Sequence, residues 1–265
     1  MLPGGILHNG QLERRFSFKP ITGYTEMVFS ETETCNMALP DRVTEVLIAC
    51  IDKIGNRSSD RPMMETLCTG DRQYLMRRIA SYMGYDSLWL TSHCHHCSEP
   101  FDINIQLSQL PVKPAGENYP FVSVNTGDFK IKLRVPTGAD QKKIISVSDS
   151  KNAEQMLLES ILVEVEDTSN ETFLKTLTPG LKSDIESEIE NISPEVTVIV
   201  NTACPDCSTD NQVSVDPYIC LKLAGRDIYA EIHKLATRYH WSEDQILSLP
   251  RARRQIYLDL IDQQG

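Results

Sequence analysis

No apolar run in these 265 residues approaches the roughly 20 that a membrane-spanning helix requires, so no helical bilayer span is expected. The opening Met-Leu-Pro-Gly-Gly lacks the basic start and apolar stretch of a secretion signal, which points to a cytoplasmic protein. Phosphate-cradling loops are missing, because Gly4-Gly5 and Thr22-Gly23 are not followed by Lys-Ser/Thr. Neither Gly-x-Ser-x-Gly nor His-Glu-x-x-His occurs. His233 and His240 fall among aromatic and apolar neighbours and read as packing or surface residues. These absences argue against an enzyme and against a small-molecule substrate. A basic footprint is also lacking: 26 Lys+Arg stand against 37 Asp+Glu, a net charge of −11, and only Arg251, Arg253 and Arg254 cluster. Nucleic-acid affinity comes largely from neutralised phosphates, so this balance disfavours it.

What is present is enough for a core. Hydrophobic residues make up 40% of the chain, and its length suits two modules or one domain with a large insertion. Eight cysteines in a reducing compartment do not suggest a disulfide framework. Cys35, Cys50, Cys68 and Cys220 are isolated, and Cys50 lies on an apolar helical stripe that suits a core residue. Acidic residues concentrate from Glu159 through Glu164, Glu166 and Asp167 to Glu190, a pattern typical of a solvated surface.

Residues 6–30 read as strands and turns, with Asn9-Gly10 as a turn signal. A helix follows, with Pro40 in its first turn and Val43, Val46, Leu47, Cys50, Ile51 and Ile54 on one face, until Gly55 stops it. The polar segment 56–66 reads as a loop, and a second helix from about Asp71 ends at Gly84. Pro111, Pro114 and Gly116 mark a linker. Phe121–Val124 and Phe129–Val135 read as strands around the turn Thr126-Gly127-Asp128. Helices are expected near 138–145, 151–163 and 181–192. The tail is helical: Ser242 with Gln245 fits a capping box, and Pro250 suits the start of a last helix.

The sharpest signal is a repeat. Leu88-Trp89-Leu90 leads to Cys94-His95-His96-Cys97 and then to Phe101, Ile103 and Ile105. At a constant offset of 110, Val198-Ile199-Val200 leads to Cys204-Pro205-Asp206-Cys207 and then to Val213 and Val215. Each half reads as strand, knuckle, strand. Two such knuckles supply the four thiolates that a structural zinc ion favours, so Cys94, Cys97, Cys204 and Cys207 are the expected ligands of one zinc per chain. A redox dithiol normally sits where a strand enters a helix, whereas the alternation after Cys97 indicates a strand. Unmetallated cysteines are the third reading. One of His93, His95 and His96 could replace a cysteine as ligand; otherwise they are exposed residues or donors that steady the ligands. The 106 residues between the pairs (98–203) then form an insertion.

The fold expected is α+β: a zinc-ribbon-like core of two Cys-x-x-Cys knuckles, an inserted α/β lobe and a C-terminal helical tail. The corresponding segments are 1–110, 111–194 and 195–265.

Three stretches carry a family resemblance. They are Leu2-Pro3-Gly4-Gly5 with Ile21-Thr22-Gly23-Tyr24-Thr25-Glu26; Cys68-Thr69-Gly70-Asp71-Arg72-Gln73-Tyr74-Leu75; and Leu235-Ala236 to Tyr239-His240-Trp241-Ser242 with Ile246-Leu247-Ser248-Leu249-Pro250-Arg251 and Arg253-Arg254. Together they resemble baseplate and tail-assembly proteins of contractile phage tails and of phage-derived extracellular contractile injection systems. The resemblance implies a non-enzymatic assembly factor or minor baseplate component in a bacterial cytoplasm, with protein partners. Trp241, Arg251, Arg254 and Tyr257 are residue types enriched at interface hot spots, and they are the expected partner-binding residues. The alternative function is a zinc-ribbon nucleic-acid-binding regulator whose last helices form a helix-turn-helix.

Overall fold

A computed structural model describes residues 1–125, 130–166, 168–223 and 228–263. The expected turn Thr126-Gly127-Asp128, the adjoining Phe129, and Asp167 of the acidic stretch lie outside the described residues. In chain order the elements begin with β1 (Ile6–His8), β2 (Gln11–Glu13), β3 (Phe16–Phe18), α1 (Gly23–Thr34), α2 (Leu39–Cys50), β4 (Ile51–Ile54) and β5 (Arg57–Ser58). Next come α3 (Arg61–Thr66), α4 (Thr69–Tyr82), β6 (Ser87–His93), β7 (Pro100–Gln106), β8 (Val112–Lys113), β9 (Phe121–Asn125) and β10 (Lys130–Arg134). The middle continues with α5 (Gly138–Ile144), α6 (Ser150–Ile161), β11 (Leu162–Val165), α7 (Asn170–Leu174) and α8 (Pro179–Ile192). The chain closes with β12 (Glu195–Val196), β13 (Ile199–Ala203), β14 (Asp210–Ser214), α9 (Cys220–Leu223), α10 (Ile228–Tyr239), α11 (Glu243–Leu247) and α12 (Arg251–Asp262). Helices and antiparallel strand pairs make this an α+β protein, as expected.

The chain forms two compact units, each discontinuous in sequence. The first contains Met1–Phe16, Ile54–Leu75 and Pro111–Thr197; the second contains Ser17–Lys53, Met76–Leu110 and Val198–Gly265. The sequence reading instead cut the chain into consecutive stretches at 110 and 194. The ends of the segment 111–194 do close on each other: Lys113 pairs with Glu195 and Val112 with Val196, and the Thr197 N–H reaches the Pro111 carbonyl at 3.2 Å.

In the first unit, a sheet of order β11-β10-β9 carries the core. Period-two alternation places Val122, Val124, Ile131 and Leu133 on one face, in register across the pair, where α8 covers them with Ile185 and Ile192. The same unit gathers Leu2-Pro3-Gly4-Gly5 and the stretch from Cys68 to Leu75. The buried Asp71 carboxylate accepts the N–H groups of Gly4 (2.8 Å) and Gly5 (2.7 Å). Tyr119 Oη donates to the Gly5 carbonyl and Arg14 Nε to that of Gly4. Burial, the largest influence, pushes the Asp71 carboxyl up, and the two glycine N–H groups pull against it.

In the second unit, α1 packs on α2 and α10, and α10 packs on α11 and α12 around Leu235, Ile246 and Leu258. Two hairpins, β6–β7 and β13–β14, complete it. The capping box of Ser242 and Gln245 is present, with both reciprocal hydrogen bonds formed.

Several elements differ from the sequence reading. The helix expected to run to Ile54 ends at Cys50, and β-branched Ile51 and Ile54 are buried in a strand that turns at Gly55, φ +61°. Residues 23–34 are helical rather than extended; the buried residues of α1 are Gly23, Thr25, Glu26, Phe29 and Thr32, so no apolar period announces it. The segment read as a loop holds α3, capped by Asp60 accepting from the Met63 N–H at 2.9 Å.

Gly70 makes the closest approach. A Cβ there would stand 1.9 Å from the Pro194 carbonyl oxygen, a backbone atom between α8 and β12. Gly70→Ala is therefore expected to cost about 3 kcal/mol by overpacking. Gly180→Ala, at a position with nothing within 4 Å, should leave stability unchanged or raise it slightly. Denaturant midpoints of the two variants compare the effects directly.

Candidate metal centre

The two hairpins of the second unit are built alike. Leu90 pairs with Ile103 as Val200 pairs with Val213, and His93 with Pro100 as Ala203 with Asp210. Within the turns, the Cys94 N–H bonds the Glu99 carbonyl (3.0 Å) and the Ser98 N–H bonds the Cys94 carbonyl (3.0 Å). The second turn repeats both, from Cys204 to Thr209 (2.9 Å) and from Ser208 to Cys204 (2.9 Å). Ser98 and Ser208 share a left-handed backbone, φ +65° and +58°. The repeat at offset 110 thus extends from residue type to register, hydrogen bonding and backbone angle.

These turns bring Cys94, Cys97, Cys204 and Cys207 together, with all four sulfurs within 4.8 Å of one another. Cys94 Sγ lies 3.6 Å from Cys207 Sγ, and Cys97 Sγ lies 3.7 Å from Cys204 Sγ. A disulfide needs about 2.05 Å, and all four are free thiols. Cys94 and Cys204 are buried, and Phe101, Val213, Leu90 and Ile103 form an apolar wall around the group. The Cys97 backbone N–H, with that of His96 and the Asn211 amide, holds the Cys94 thiol down at about 5 against the effect of burial. The Glu99 N–H also pulls Cys97 down, but burial and the neighbouring sulfurs outweigh it and push that thiol up to about 12. The arrangement stabilises negative sulfur at Cys94 and Cys207 while raising Cys97 beside them, and one cation at the centre would relieve that crowding.

No histidine belongs to this group among the described residues; His93, His95 and His96 are exposed. His95 has another task. Its backbone N–H donates to Asn211 Oδ1 at 3.0 Å, and its ring Nδ1 lies 3.0 Å from the same atom. Asn211 is buried, and its amide nitrogen donates to the Thr209 carbonyl (2.7 Å) and toward Cys94 Sγ (3.5 Å). One side chain of the second hairpin therefore holds the first turn in place. Sequence reading passed over Asn211, although the repeat carried a signal: its counterpart 110 residues earlier is the apolar Phe101.

The four expected partner-binding residues differ in exposure. Arg254 is fully buried: Nη2 donates to Glu26 (2.7 Å), Nε to Glu231 (2.9 Å) and Nη1 to the Leu249 carbonyl (2.9 Å). Arg251 donates to Tyr85 Oη at 2.5 Å and lies over the Tyr85 ring. Trp241 and Tyr257 pack against Tyr239 and each other, with centroids 4.8–5.6 Å apart. Arg254 is thus interior, Arg251, Trp241 and Tyr257 are half-buried against these partners, and Arg253 alone of the arginine cluster is exposed.

Comparison with known proteins gives one finding. The family model described as T4 bacteriophage base plate protein matches residues 8–217. No curated protein and no solved structure matches. The chain belongs to this phage baseplate family. The match runs through the segment 111–194, which the resemblance had left uncovered, and stops before α10 to α12.

The buried arginine generates a test. Arg254→Met leaves two carboxylates facing each other without a cation and is expected to lose about 3–5 kcal/mol of stability. Arg253→Glu, at an exposed position, should change stability by less than about 0.5 kcal/mol. Denaturant unfolding of the two variants measures both effects.

Proposed function

We propose that this chain is a non-enzymatic, zinc-stabilised assembly factor or minor baseplate component of a contractile tail or injection system, binding protein partners in the bacterial cytoplasm. The four-sulfur cluster within a baseplate-family chain is the observation that carries the reading. Four thiolates around zinc, with bonds of about 2.3 Å, stand about 3.8 Å apart at the corners of a tetrahedron. The cross-hairpin separations of 3.6 and 3.7 Å match those edges. A complete thiolate set leaves no position for a reacting water, so such an ion would be structural.

The other buried ionisable groups also support a scaffold. Asp71 is occupied by glycine N–H groups, and Asp140 by Arg134 at 2.6 and 2.8 Å and Ser160 at 2.5 Å. Burial drives the Cys68 thiol far above its ordinary value, which leaves it protonated and inert. The zinc would join hairpins more than a hundred residues apart, so that its binding free energy adds to that of folding.

Elemental analysis of the purified protein is expected to find about one zinc per chain. Cys204→Ser should release it and raise hydrogen exchange in Leu88–Ile105, on the opposite hairpin. Asn211→Ala should weaken metal affinity by about 10–100-fold while keeping all four sulfurs. Metal-free protein with unchanged melting would overturn the zinc reading. Co-purification from cells expressing the whole gene cluster tests the assembly role: tail proteins should be recovered with the chain, and their absence would overturn that role.

A further inference from the structure

The acidic stretch read as a solvated surface lies beside a groove in the first unit. Helices α6 and α8 flank two cavities of about 240 Å³ and 670 Å³ that share Glu154, Leu158, Lys182 and Glu186. Half-buried Leu157 and Ile189 line the smaller cavity above the buried Ile161 and Ile185, and Leu174 and Leu177 line the larger beside Asn152, Gln155, Ser183 and the exposed Lys151. Lys182 reaches across from α8 to pair with Glu154 at 2.8 Å, so its charge is already balanced. Glu186 and Glu190 are exposed on the rim and make no ion pair among the described residues. Residues 150–195 as a whole hold eleven Asp and Glu against three Lys.

We infer that this groove seats a basic amphipathic helix of a protein partner. The backbone of α6 and α8 is bonded within the helices, so the groove offers side chains rather than backbone partners. An extended peptide would bury unsatisfied N–H and C=O groups there, whereas a helix satisfies its own. The 12 and 14 residues of α6 and α8 give walls of about 18–21 Å, long enough for three to four turns of a third helix. The carboxylates on the rim select Lys and Arg beside the apolar stripe, and they repel nucleic-acid phosphates. This rests on the proposed baseplate role only for the source of the helix; peptide binding by the purified chain tests the groove, whereas zinc content and co-purification test that role separately.

The test uses the full chain and two synthetic helical peptides of about 18 residues with the same leucine stripe. One carries Lys and Arg beside the stripe, and the other carries Glu. Fluorescence anisotropy is expected to show at least tenfold tighter binding of the basic peptide, weakening with salt. Glu186→Lys with Glu190→Lys should abolish that preference or reverse it. Asp184→Lys with Glu188→Lys makes the same charge change at exposed positions turned about 160° away from Glu186 around α8, and should leave the preference intact. Equal binding of both peptides, failure of the basic peptide to bind, or equal loss in both double variants would overturn the inference.

Discussion

Four sulfurs within 4.8 Å of one another bring together two hairpins that lie 110 residues apart in the chain. Each hairpin has only two strands, and such a pair is marginal alone in water. Here the strands gain a small apolar wall from Phe101, Val213, Leu90 and Ile103, and the sulfurs sit inside it. Once the two turns share one centre, the chain between them must leave and return. That topological demand is visible at β8 and β12, whose pairing brings the residues near 112 and 196 together.

Elsewhere the structure relies on buried charges placed at chain crossings. Asp71 gathers the glycine N–H groups of the N-terminal segment, and Arg254 gathers Glu26 and Glu231 from α1 and α10. Such groups contribute less to net stability than their short distances suggest, since desolvation offsets much of the attraction. Removing one partner of such a group would strand the buried charge that remains. The stretches that carry the family resemblance are these crossings. Leu2-Pro3-Gly4-Gly5 meets Asp71, and Thr22-Gly23 meets the tail, where a Cβ on Gly23 would lie 2.8 Å from the Leu247 Cα.

How much was legible follows from the range of each signal. The candidate metal centre could be read because spacing, strand alternation and the 110-residue offset all lie along the chain, and the four cysteines are indeed brought together. Amphipathic helices such as α10 and the capping box before α11 were readable for the same reason. Helix α1 was not, since its buried side is largely polar and Glu26 finds its cation 228 residues away. The fate of Arg254 depended on that same long-range contact, so one arginine of a cluster that looked like a surface is interior. Asn211 was hidden because its role rests on His95, in the opposite hairpin. The division into two discontinuous units likewise depends on pairings that no local pattern displays.

The account turns on what occupies the four-cysteine centre, and X-ray absorption at the zinc edge addresses that most directly. On the purified full chain it is predicted to show a single shell of four sulfur scatterers at about 2.3 Å. A shell containing nitrogen or oxygen, fewer than four sulfurs, or protein that carries no zinc when folded would contradict it.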